Sequence, residues 1–181
     1  MLPLVLSIVT PLGVGMVIGI GLRDSVKQWY PSIRKPVWYV LDSSARSSAR
    51  TPRHSPTRAL RLITPTFART PPNYLFGPVW TALYVMMGVA SHRVASIVGW
   101  ASKPLVLYAC QLVLNFLWSP LFFKWHKLGA AAADITVLLG VVYATIVEFG
   151  AVDVLSAQLL VPYLCWSCYA TALTYNIWLN N

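Results

Sequence analysis

Residues 104–123, PLVLYACQLVLNFLWSPLFF, decide what kind of molecule this is. The run of 20 residues carries no formal charge, and about 20 apolar residues is what an α-helix needs to cross roughly 30 Å of hydrocarbon. Pro104 suits the first turn of such a helix, where its missing N–H costs nothing. Inside the run, Tyr108, Gln111, Asn115 and Trp118 recur at spacings of three, four and three, so they share one face. A Gln and an Asn at membrane depth must find partners within protein, because lipid offers none. They read either as glue between helices or as donors to polar groups of a ligand held between aromatic walls.

Four further segments reach the same length: 2–22, 76–98, 128–149 and 154–178. The first opens without a basic stretch, so a retained helix is expected rather than a cleaved signal peptide. Loops between the last four are short, which predicts antiparallel packing of consecutive helices. Composition agrees. The chain is 57% hydrophobic and 10% charged, whereas a soluble surface needs about 25% charged residues. The expected fold is all-α: an integral membrane bundle of five transmembrane helices, one domain over residues 1–181, with the lipid bilayer as its first partner.

Residues 40–70, VLDSSARSSARTPRHSPTRALRLITPTFART, are different. They are rich in Arg, Ser, Thr and Pro and lack periodicity, which predicts a disordered insertion in the loop between helices one and two. Six of the fourteen Lys and Arg residues fall from Arg46 to Arg69. The net charge of +9 therefore marks a positive loop rather than a nucleic-acid-binding face, since the remainder is apolar helix. Arg23, Lys27, Arg34 and Lys35 lie in the same loop, and Lys124 and Lys127 emerge on the same side. The opposite side holds Lys103, Asp153 and, near a helix end, Arg93. This asymmetry predicts a cytosolic first loop and C-terminus, with the N-terminus on the far side.

Other helices carry faces of their own. Trp80, Tyr84, Met87 and Ser91 line up in the second, Trp166, Tyr169 and Leu173 in the fifth, and Asp134, Val141, Thr145 and Glu148 form a candidate inward stripe in the fourth. Trp29, Tyr30, Trp100, Trp125 and Trp178, near helix ends, read as interface anchors. Asp134 sits early in its helix, where the dipole favours negative charge; it is expected to be paired, protonated or close to the helix end. Gly15 and Gly19 form a G-x-x-x-G that predicts close helix approach, either to a second copy or within the bundle. Cys110, Cys165 and Cys168 are odd in number and lie in apolar runs, so buried, reduced packing is expected rather than disulfides or redox chemistry. His54, His92 and His126 share no spacing that suggests a metal or haem-ligand site. No phosphate loop and no nucleophile–base pair is visible, so an enzyme is not the expectation.

Several longer motifs resemble one family. Trp29-Tyr30 followed by Lys35-Pro36-Val37-Trp38, then Pro71-Pro72 and Phe76-Gly77-Pro78-Val79-Trp80-Thr81-Ala82-Leu83-Tyr84, resembles the first loop and second helix of the translocator protein (tryptophan-rich sensory protein, TspO/MBR) family. Gln111–Phe123 resembles its third helix, and Pro162–Trp166 with Ala170–Asn176 its fifth. The resemblance implies a five-helix bundle, often a homodimer, that binds porphyrins or haem and, in animals, sterols and synthetic ligands. By motif, the pocket is lined by Trp38, Trp80, Asn115, Trp118, Trp166, Ala170 and Leu173, with the first loop as lid. It also implies a mitochondrial outer membrane or another intracellular membrane.

Two departures bear on this. The family runs Lys-Pro-x-Trp-x-Pro-Pro unbroken, whereas here 31 residues separate Tyr39 from Pro71, read either as a natural loop or as translated intron sequence. Leu173 and Tyr175 begin a sterol-contact pattern, but no Lys or Arg follows before Asn181, which weighs against a tight cholesterol site. The leading expectation is thus a receptor or carrier for tetrapyrroles or similar flat hydrophobic ligands, with no covalent cofactor. The alternatives are a porphyrin-degrading enzyme using Trp80 and Trp166, or a small-solute transporter.

Overall fold

The computed structural model describes residues 2–29, 32–33 and 73–181. The 40–70 insertion and Trp38 lie outside the described residues. Within them the chain is helical, with no strand: α1 (Leu2–Gly21), α2 (Arg23–Gln28), α3 (Asn73–Val98), α4 (Lys103–Phe123), α5 (Leu128–Val152) and α6 (Val154–Asn180). The five long helices match the expected segments to within three residues at each end, and α2 is an extra short turn of helix.

Four helices, α1, α3, α4 and α5, are long and apolar enough to cross a membrane, so the protein is an integral membrane protein. α6 is 27 residues long, but Ser156, Gln158, Ser167, Thr171, Thr174 and Asn176 make it more polar than the others. Its hydroxyls are fed back into the helix. Thr171 Oγ1 donates to the Ser167 carbonyl at 2.8 Å and Thr174 Oγ1 to the Ala170 carbonyl at 2.8 Å. Thr136 and Thr145 do the same in α5. This local bonding removes the cost of a bare hydroxyl in hydrocarbon.

The long helices form a closed ring in the order α1, α3, α6, α5, α4 and back to α1. Sequence neighbours α4–α5 and α5–α6 pack antiparallel as expected. α3 and α4 do not: α3 lies mainly against α1 and α6, and touches α4 only across the interior. A short loop fixes the direction of the next helix but not which side it packs on.

α1 is held by one face only. Its Pro11 removes the N–H that would bond the Ser7 carbonyl, and Gly88 of α3 approaches that spot. A Cβ built on Gly88 would lie 2.7 Å from the Ser7 carbonyl oxygen and 2.8 Å from Ile8 Cα. Four residues before Gly88, Tyr84 seats against Gly15, where a Cβ would meet its ring at 2.8 Å. Of the G-x-x-x-G pair, Gly15 thus packs within its own chain, while Gly19 faces open space. The cysteines correct an expectation: Cys110, Cys165 and Cys168 are exposed, on outward faces rather than buried. In lipid an outward thiol meets the same apolar surroundings that the sequence suggested, so hydrophobicity alone could not tell the two placements apart.

Charges gather at both ends of the ring. At one end Arg93 grips Asp153 through two hydrogen bonds, Nε to Oδ2 at 2.8 Å and Nη2 to Oδ1 at 3.1 Å, and Lys103 pairs with Glu148. Asp153 is the single residue between α5 and α6 and also caps α6, its Oδ2 accepting from the Ser156 N–H at 3.1 Å. Arg23, Lys27, Lys124 and Lys127 lie at the opposite end.

Gly88→Val is expected to lower stability by about 1–3 kcal/mol, since backbone rather than a flexible tip must yield. Gly19→Ala, with nothing within 4 Å, should be stabilising by up to about 1 kcal/mol. Thermal unfolding in detergent, followed by circular dichroism, reads both. The hydrogen bonds from Arg93, and then from Ser156, hold the Asp153 carboxyl well below the usual carboxylate range. A depressed carboxylate stabilises the fold above its unfolded pKa and loses that contribution as pH falls toward the folded value. The melting-temperature advantage of the parent over Asp153→Asn should therefore be constant from neutral pH down to about 5 and shrink below about 4.

Candidate functional site

The buried face of α4 points into the ring. Tyr108, Gln111 and Asn115 are buried and Trp118 is half-buried, so the stripe read from spacing is the inner one. The same holds for Tyr84, Met87 and Ser91 of α3, with Trp80 half-buried at its end. In α5, Asp134 and Thr145 are buried as expected, but the stripe is completed by Ile135, Leu138, Val142 and Phe149, with Val141 and Glu148 to one side.

Asn115 is the centre of the arrangement. Its Oδ1 accepts from the Tyr84 hydroxyl at 2.9 Å and its Nδ2 donates to the Tyr163 hydroxyl at 3.0 Å. One side chain from α4 thereby joins α3 and α6. An aromatic wall continues from this bridge: Trp80 lies 5.4 Å from Tyr84, 6.4 Å from Tyr163 and 6.2 Å from Trp166, the last two edge-on. Edge-to-face rings at 4.5–7 Å are the favoured geometry for such pairs. Gln111, fully buried one turn away, reaches the Met87 sulfur at 4.0 Å with its amide nitrogen, and its Oε1 has no hydrogen-bond partner among the described residues.

Of the residues expected at a pocket, the structure gathers Trp80, Trp166 and Ala170 in one apolar cluster, and Asn115 is bonded to its Tyr84 and Tyr163. Trp118 belongs to it too, and to a second cluster around Phe122, Ala131 and Ile177, where Leu173 packs. Trp118 stacks on Phe122 at 5.1 Å. Trp38 lies outside the described residues. Tyr163 was missed. It recurs with Ser156, Leu160 and Ser167 at spacings of seven, three and four, so the same periodicity could have found it beside the Trp166 face. Trp29 is another revision: it is no mere interface anchor, but stacks on His126 at 4.1 Å and meets Phe122 edge-on at 5.8 Å. With Ile33 it covers the second cluster. Trp100, Trp125 and Trp178 are 54%, 52% and 43% exposed, as membrane-interface residues are.

Asp134 is buried, and its Oδ2 has no hydrogen-bond partner among the described residues. No group of three His, Cys, Asp or Glu side chains forms a metal site among the described residues. Between α3 and α6, on the outer surface, a cavity of about 460 Å³ is lined by Val79, Ala82, Leu83, Met86, Pro162, Cys165, Trp166 and Tyr169.

Residues 40–179 match the TspO/MBR family. Among similar proteins, the human translocator protein is 34% identical over 167 residues, covering 90% of this chain and 78% of that protein. Protein CrtK of Rhodobacter capsulatus is 31% identical over 84% of this chain and 78% of its own length. The tryptophan-rich protein TspO of Archaeoglobus fulgidus is 33% identical over 99% of this chain and 97% of its own.

Asn115→Ala leaves the Tyr84 and Tyr163 hydroxyls without their shared partner and should destabilise the bundle by about 1–3 kcal/mol. Tyr84→Phe and Tyr163→Phe should each cost less, and combined with Asn115→Ala should add little further. A double-mutant cycle on thermal stability checks this; full additivity would show that the bridge is not a unit.

Proposed function

Because the chain belongs to the TspO/MBR family, we propose that it is a membrane receptor or carrier whose interior aromatic wall binds tetrapyrroles or similar flat hydrophobic ligands. The observation that carries this is the Trp80, Tyr84, Tyr163 and Trp166 wall around Asn115 inside an apolar ring. Large flat faces meet aromatic rings there, and Asn115 keeps a second amide hydrogen for a ligand acceptor. Trp118, Ala170 and Leu173 extend the lining toward the positive end, and Trp38 completes it by resemblance. The first loop acts as lid, its near end seated at Trp29 and Ile33. The carrier role leans on the name of the human relative, translocator protein.

The proposal takes α6 as a fifth span: it packs antiparallel on α5, which is long and apolar enough to cross, and a single residue joins them. It places the Arg23, Lys27, Lys124 and Lys127 end, with the C-terminus, in the cytosol. The membrane is the mitochondrial outer membrane or another intracellular one. A homodimer is part of the reading, with the exposed face of α1 around Gly13, Val17 and Ile20 as the contact.

A protoporphyrin titration followed by tryptophan fluorescence, on the purified protein in nanodiscs, tests the reading. Saturable quenching is expected, weakened by about tenfold in Trp80→Phe and Trp166→Phe, whose lost ring area removes stacking contact. The same titration on protein lacking residues 40–70 shows what the insertion does to the lid. Absence of saturable quenching in both forms would remove the tetrapyrrole assignment. Turnover of the porphyrin in the dark would instead favour the degrading enzyme.

A further inference from the structure

We infer that the α3–α6 seam is a lateral portal, through which a ligand dissolved in the bilayer reaches the interior aromatic wall with Trp166 as the movable partition. This rests on the pocket reading above and adds the route and the physical state of the ligand.

Position is the first argument. Leu83 and Met86 lie midway along α3, and Pro162 and Trp166 midway along α6. The groove therefore opens at the middle of the hydrocarbon, where nothing arrives except what is already dissolved in lipid. Size is the second. A cavity of about 460 Å³ falls within the roughly 300–1,000 Å³ of small-molecule sites. Its wall is apolar, so it suits the hydrophobic face of a ligand, with any carboxyl groups passing protonated rather than as charged groups.

Continuity is the third argument. Trp166 lines the groove on its outer side and meets Trp80 of the interior wall at 6.2 Å. Directly behind the groove, Tyr84 and Tyr163 follow Leu83 and Pro162 in sequence and are tied to each other through Asn115. Trp166 thus belongs at this depth to both the outer groove and the interior wall. Compliance is the fourth. Pro162 takes one rung out of the backbone ladder of α6 at the groove, while the Arg93–Asp153 pair pins the same two helices together at their far end. A seam clamped at one end and short of a rung in the middle yields in the middle.

Ala82→Phe fills the groove from its exposed side without touching the Asn115 bridge. In nanodiscs, stopped-flow quenching with protoporphyrin should show association and dissociation both slowed by about tenfold and Kd changed by less than about twofold, the pattern of a blocked route to an intact site. In parallel, lipids brominated at mid-chain should quench the Trp166 component of fluorescence, obtained by difference with Trp166→Phe, and Ala82→Phe should reduce that quenching. Unchanged rates in Ala82→Phe, or a Trp166 that bromolipid does not reach in the parent, overturns the portal. So does a weakened Kd with unchanged association, which would make the groove the binding site itself. Should the parent show no saturable porphyrin quenching, the ligand assignment of the preceding section falls, and the bromolipid result decides the portal by itself.

Discussion

Hydrocarbon cannot hydrogen-bond, and that constraint organises this protein around Asn115. A lone amide at the centre of a membrane bundle is stable only if protein supplies its partners. Tyr84 and Tyr163 do so from two different helices, one donating to the carbonyl oxygen and the other accepting from the nitrogen. Three helices are thereby set in rotation about their own axes, because no other orientation brings the two phenols to the one amide. The aromatic wall follows from that setting: Trp80 precedes Tyr84 by one turn and Trp166 follows Tyr163 by one turn, so fixing the tyrosines fixes the tryptophans. The hydroxyls of Thr145, Thr171 and Thr174 take the cheaper solution of bonding back into their own helix, and so they constrain no neighbour.

α1 is attached on a different principle. It brings little polar chemistry to the ring and is held by close approach: Gly88 sits over a carbonyl that Pro11 has left open, and Tyr84 rests on Gly15. The same tyrosine therefore serves two interfaces, its ring against α1 and its hydroxyl toward α4. The outer face of the wall and the inner bridge are coupled through one side chain.

Much of this was legible in the sequence for a plain reason. The period of 3.6 residues places Tyr84, Met87 and Ser91 on one line and Tyr108, Gln111 and Asn115 on another, and burial follows those lines. Helix limits were legible because uncharged runs of about 20 residues mark them and Pro104 opens one. What stayed hidden depended on which helix neighbours which. Gly15 could not reveal that its partner is Tyr84, and four residues between α3 and α4 could not reveal that the two helices sit across the ring from each other. The cysteines were misplaced because a lipid-facing position and a core position ask for the same hydrophobicity. Tyr163 was overlooked beside the more conspicuous Trp166, although the same spacing argument reaches both. The ligand itself leaves no periodic signature, and for that the chain speaks only through resemblance.

Asp153 occupies the entire connection between α5 and α6, capping one helix as it ends the other. A joint of one residue has no slack to absorb rotation, so these two helices turn as a single lever. The Arg93 clamp is set at its fulcrum. Any widening of the seam then falls to the stretch of α6 beyond that point, where Pro162 leaves the helix short of a rung.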